Sequence, residues 1–164
     1  MLVYHGTSKH NSILISYNGI NKNEDSMNID NQGTSTFINA FFCTPNKDIA
    51  HIYESDNSKD GAVIIELELS EDANILDLTE IDNQNNIINF LNNNNGLTIN
   101  DYLTQNNYDG CRQYHKNDFG RKRLEYAITN INKLSIVKIP KTATKFMSLY
   151  FEAMEEDIKP NEYI

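Results

Sequence analysis

At 164 residues the chain fits one domain, long enough to bury roughly two thirds of the surface its unfolded form exposes, and one core without a linker is expected. A net charge of −9 argues against nonspecific nucleic-acid binding, which depends on cations neutralising phosphates. There is no apolar run of about 18 residues to span a bilayer, and the N-terminus lacks the regions of a secretory signal, so a cytoplasmic protein is expected.

Leu2 to Tyr4 reads as a short first strand with His5-Gly6-Thr7-Ser8 at its end. The stretch SKHNSILISYNGI then carries Ile13, Leu14, Tyr17 and Ile20 at helical spacing, with Gly19 as the stop. Residues 21–35, polar and without periodicity, read as an exposed loop. FINAFFCT (37–44) predicts a second strand, and Thr44-Pro45 a helix start, with Thr44 as N-cap and Ile49, Ile52 and Tyr53 on one face of the helix that follows. GAVIIELELS (61–70) is the clearest strand and NILDL a further short one.

Residues 80–106 predict two helices around NNNNG, with Ile87, Ile88 and Leu91 on the first and Ile99, Tyr102 and Leu103 on the second. YDGCRQY, LEYAITN and LSIVKI predict three late strands, and Lys141 onward an amphipathic helix. Cys43 and Cys111 lie outside any C-x-x-C or Cys/His cluster, which points to small buried side chains. The one dense cationic run, HKNDFGRKR (115–123), is either a solvated loop or one that meets a substrate or the phosphates of a cofactor. The pattern is α+β with mainly antiparallel sheets.

A His-Gly pair beside a strand suits a ligand that must approach the backbone: glycine has no side chain to block it, and histidine offers a ring donor or acceptor. Phe41-Phe42 closes the second strand, Tyr53 follows on the next helix, and Glu125 starts a late strand. The competing reading of Tyr53 is a core tyrosine on an amphipathic helix, and that of Glu125 an exposed strand-start glutamate. Together these pieces meet the needs of chemistry on a nicotinamide riboside.

The order YHGT, FFCT...AHIY, YDG...LEYAI over residues 3–139 resembles the ADP-ribosyltransferase superfamily of the diphtheria-toxin and poly-ADP-ribose-polymerase type, whose signature is His-Tyr-Glu. The resemblance implies a single domain over 1–164, with 141–164 as a helical extension, in which two packed, mainly antiparallel sheets flanked by short helices form an NAD cleft. It also implies mono-ADP-ribosyl transfer from NAD, without a metal, to a macromolecule, most simply a protein.

By that resemblance His5 would bond the 2′-hydroxyl of the nicotinamide-side ribose, Gly6 would hold the carboxamide through its backbone, and Thr7 and Ser8 would lie near the adenosine. Tyr53 would stack on the nicotinamide, Phe41 or Phe42 would replace the family's first tyrosine, and Glu125 would be the catalytic carboxylate. Tyr114, Phe119, Arg121 and Arg123, in or beside the loop before Glu125, would meet the acceptor. Arg123 stands where the arginine-modifying branch has a glutamate, which argues against arginine as acceptor by that route.

Small standalone transferases of this kind recur as toxins, effectors and phage-borne inhibitors of host defence, including anti-CRISPR proteins, and an acidic one could dock on a nucleic-acid-binding complex. The alternatives are a module that binds NAD or a protein with little or no turnover, and a nucleic-acid-modifying transferase. The RNA 2′-phosphotransferase branch is of the last kind, but its members are more basic than this chain.

Overall fold

The computed structural model describes residues 1–29, 35–55, 62–116 and 122–140. Among these described residues eight strands and four α-helices follow in the order β1 (Leu2–Ser8), α1 (Lys9–Asn18), β2 (Asn23–Asn28), β3 (Ser35–Cys43), α2 (Lys47–Ser55), β4 (Ala62–Leu69), β5 (Ile75–Asp77), α3 (Ile81–Asn93), α4 (Ile99–Gln105), β6 (Gly110–Lys116), β7 (Lys122–Ile128) and β8 (Leu134–Lys138). They form a three-stranded sheet, β1-β4-β8, and a five-stranded sheet, β2-β3-β7-β6-β5. All pairings are antiparallel except β5 with β6. The expected α+β class with two mainly antiparallel sheets is therefore present.

Alternation along the strands sorts the apolar side chains into two cores. Val3, Ile65, Leu67 and Leu69 from the small sheet meet Phe41, Cys43, Tyr126 and Ile128 from the large one. On the other face of the large sheet, Ile38, Ala40, Cys111 and Ala127 pack with Leu76, Leu78, Ile87, Ile99 and Leu103, which brings α3 and α4 onto that face. Burying each large aliphatic side chain contributes about 1.5–3 kcal/mol.

Four expectations need correction. The first strand does not stop at Tyr4: it runs through His5 and Gly6 to Ser8, because β4 offers a partner for every residue, Gly6 opposite Ile64 among them. Residues 23–28 form β2 against β3, although only Met27 gives an apolar inward position on a polar strand. Helix α1 ends at Gly19 (φ 78°) as expected, but it buries Ser12, Ile13 and Ile15 and leaves Leu14 and Tyr17 exposed. Helix α2 begins two residues late. Asn46 Oδ1, not Thr44, accepts from the Asp48 N–H (2.9 Å), while Thr44 Oγ1 donates to the Leu124 carbonyl (2.9 Å). The predicted tail helix from Lys141 lies outside the described residues.

Gly110 opens β6 where the chain has no room for a side chain: a Cβ there would lie 2.4 Å from the Ala127 oxygen and 2.9 Å from the Ile128 Cα. Gly110→Ala is therefore expected to destabilise the fold by about 2–3 kcal/mol, since backbone must move to admit the methyl. Urea denaturation checks this, and an unchanged midpoint would contradict the packing.

Candidate functional site

Strand β3 has two edges, and alternating backbone groups turn to each. On one edge Phe41, Phe42 and Cys43 lie opposite Ile128, Ala127 and Tyr126 of β7. On the other, β2 pairs up to Ala40, and β1 touches only at Thr44: Tyr4 N–H donates to the Thr44 carbonyl (2.7 Å) and Thr44 N–H to the Tyr4 carbonyl (2.9 Å). Between these two partners the Phe42 carbonyl meets the His5 ring, with Nδ1 at 2.8 Å. A carbonyl only accepts, so Nδ1 carries the hydrogen, and in the neutral ring Nε2 is left as an acceptor.

The His5 ring is half-buried and lies against Phe41, centroids 4.5 Å apart. Burial holds its pKa below the ordinary histidine value, outweighing the bond to Phe42, which acts the other way. The ring is neutral at pH 7. Phe41 is 3% exposed, whereas Phe42, on the opposite face of β3, is half-buried against the second core, so Phe41 is the aromatic that contacts His5.

Gly6 is explained differently from expectation. A Cβ there would sit 1.9 Å from the Ala50 carbonyl oxygen, so the close approach that requires glycine is made by helix α2 of the same chain. Its backbone is another matter. The Tyr4–Thr44 bridge is antiparallel and turns the even-numbered groups of β1 toward β3, so the Gly6 N–H and C=O turn to that side, back along β3 from Thr44 toward Phe42. Thr7 is buried on the His5 side, and the Ser8 hydroxyl caps α1, accepting from Asn11 N–H at 3.1 Å.

Glu125 lies in the middle of β7, opposite Gln113 of β6, and is half-buried; it is not the exposed strand-start residue of one reading. Its charge reaches both cysteines. Burial first, and the Glu125 carboxylate second, push the Cys111 thiol up to about 12 and the Cys43 thiol upward as well, so both are neutral and free.

The register sets Glu125 two strands from β1, about 10 Å between main chains. The side chains face apart, however: His5 turns to the inter-sheet core with Phe41, and Glu125 shares the other face with Ala127 and Gln113. Tyr53 lies on α2 one turn beyond Ala50, and its side chain is outside the described residues, as are Phe119 and Arg121. Tyr114 is 50% exposed near the end of β6, opposite Leu124, and Arg123 is half-buried opposite His115.

Sequence reasoning missed Gln113. It is buried, and no partner among the described residues bonds its Oε1. The signal available was its place two residues after Cys111, which alternation puts on the same face. A cavity of about 770 Å³ opens elsewhere, at the Phe37–Asn39 end of β3 beside α4, with Asn100, Asn107 and Thr129 in its wall.

The lowered His5 pKa has a sign that can be tested. Below the unfolded value of 6.5 the unfolded chain takes up a proton that the folded ring resists, so stability is full above that pH and falls as the pH drops toward the folded value. His5→Gln keeps a donor for Phe42 and should flatten this loss below about pH 6.5 in denaturant titrations; an equal loss in both proteins would remove His5 as its source. The chain matches no family model and has no significant counterpart among curated proteins or solved structures.

Proposed function

We propose that the protein is an NAD-dependent mono-ADP-ribosyltransferase. The observation that carries this reading is the meeting of β1 and β3 at Tyr4–Thr44, with His5 and Gly6 just past the junction and Glu125 on the strand beyond. A neutral His5 with Nδ1 engaged offers Nε2 to a ribose hydroxyl. The Gly6 N–H and C=O form a donor–acceptor pair of the kind a carboxamide needs. Phe41 or Phe42 and Tyr53 supply the aromatic faces.

In the reaction the bond from ribose C1′ to the nicotinamide nitrogen breaks, and its electron pair neutralises the pyridinium. The sugar gains oxocarbenium character, and the acceptor attacks C1′ with loss of its proton. A carboxylate at Glu125 stabilises a charge that exists only in the transition state, which raises kcat and leaves ground-state binding largely alone. The proposed acceptor is a protein met by Tyr114, Phe119, Arg121 and Arg123, in the setting of a toxin, an effector or an inhibitor of host defence.

The opposed facing of His5 and Glu125 favours one second reading, a module that binds NAD without turning it over. Incubation with labelled NAD and a lysate separates the two. The wild type is expected to release nicotinamide and label a protein, and Glu125→Gln to lose about 10²–10³-fold in rate. Binding without release would establish the module, label found only on RNA or DNA would establish a nucleic-acid-modifying enzyme, and neither binding nor release would end the NAD reading.

A further inference from the structure

Asparagine is abundant in this chain, and at two places, Asn18-Gly19 and Asn95-Gly96, it precedes glycine. The side-chain carbonyl carbon of an asparagine, Cγ, lies within reach of the next residue's backbone nitrogen, and glycine there adds no side chain to hinder the approach. Closing a five-membered ring between them needs an N–H that no other acceptor holds, and a backbone able to turn that nitrogen onto Cγ. The two pairs differ in both respects.

Asn18 is the last residue of α1, and the Gly19 N–H donates to the Ile15 carbonyl at 3.0 Å, so the nitrogen is held at the helix end. Asn95-Gly96 lies between α3 and α4, in a turn closed by the Leu97 N–H on the Asn94 carbonyl (3.1 Å). Gly96 takes φ 88° and Asn95 does not share that positive sign, the pattern of a type II turn. Neither the Gly96 N–H nor the Asn95 side chain has a hydrogen-bond partner among the described residues, and both residues are exposed. The neighbouring asparagines are engaged: Asn93 and Asn94 donate their side-chain amides to the Asn89 and Phe90 carbonyls, each at 2.8 Å.

We propose that Asn95 is a self-modification site, at which the chain converts this asparagine to aspartate and isoaspartate without an enzyme. Base removes the Gly96 N–H proton and the nitrogen attacks Asn95 Cγ. The bond from Cγ to Nδ2 breaks, and Nδ2 leaves with a proton as ammonia. Water then opens the cyclic imide at either carbonyl. Opening at Cγ gives aspartate, and opening at the main-chain carbonyl leaves the chain running through the side chain as isoaspartate; nothing is oxidised or reduced.

Isoaspartate adds a methylene to the backbone inside a four-residue turn, which draws the Leu97 N–H away from Asn94. Thr98, whose capping box with Asp101 starts α4, follows directly after Leu97, and α4 meets α3 through the Phe90–Tyr102 ring contact (5.1 Å). Modification at Asn95 therefore loosens the helix pair that covers one face of the large sheet. It does so whether or not the protein acts on NAD.

The test incubates the purified full chain at mildly alkaline pH, folded and in urea, and reads each site by mass spectrometry with fragmentation that separates aspartate from isoaspartate. In the folded protein Asn95 is expected to convert about fivefold faster than Asn18, the factor that one intact main-chain hydrogen bond confers. In urea the two rates should draw together, because each pair is followed by an aliphatic residue, Ile20 or Leu97. Equal folded rates, or a faster Asn18, would overturn the proposal, as would a ratio that urea leaves unchanged. Aged wild type should melt below fresh protein, while Asn95→Gln, which would have to close a slower six-membered ring, should keep its melting temperature. An aged variant that loses as much as the wild type would overturn the effect on the helix pair.

Discussion

Two hydrogen bonds, between Tyr4 and Thr44, set the relation of the two sheets. They tie the small sheet to the large one just after the end of β3. Its upstream residues pair with β2 on the edge that β1 touches at Thr44, and its far edge pairs with β7 from Phe41 to Cys43. Where either edge runs out of strand, a side chain takes over: the His5 ring at Phe42 (2.8 Å), and the Asn100 amide at Asn39, donating at 3.0 Å and accepting at 2.9 Å. Each such bond contributes only about 1 kcal/mol net. Their larger effect is to fix parity, which decides which face every neighbouring residue shows.

Parity then governs the chemistry. With even-numbered β1 groups turned toward β3, the odd-numbered side chains Val3, His5 and Thr7 face the inter-sheet core and the tautomer of His5 is fixed by a main-chain carbonyl. With Tyr126 and Ile128 in that same core, Glu125 faces the other way, beside Gln113. A ligand using both His5 and Glu125 must lie across the rim where β1 passes the end of β3, with one group reached from each face. A dinucleotide, long and polar, suits such a crossing better than a compact substrate held in a single pocket.

Much of this was legible in the sequence, for physical reasons that differ by element. The β-branched run of β4 and the helical stripes of α3 and α4 are strong because burial on one face imposes a period. Strand β2 was illegible: NEDSMN has one buried apolar residue, and pairing with β3 stabilises it more than its own preference does. The extent of β1 was hidden by Gly6, whose reason lies in a backbone contact with Ala50, 44 positions on in the numbering. His5 and Glu125 were legible as chemistry, but their facing was not, since it depends on a register that only the paired strands define. Gln113 carries neither charge nor period, and becomes noticeable only when Glu125 is seen opposite it.

The costs in this fold are unevenly placed. Among the described residues the buried hydroxyls of Ser12 and Thr44 have partners, donating to Lys9 and Leu124 carbonyls at 2.7 and 2.9 Å. Two costs lie within three strands of the Tyr4–Thr44 junction: a histidine kept neutral by burial, and on β6 an amide carbonyl, Gln113 Oε1, without a donor among the described residues. A strand that served packing alone would hold a valine or leucine at position 113, stable there and free of the orphaned acceptor. Local violations of this kind persist where a site needs groups that water no longer satisfies, so that a ligand can satisfy them. In the cavity by Phe37 the described wall carries no such unpartnered buried side-chain atom.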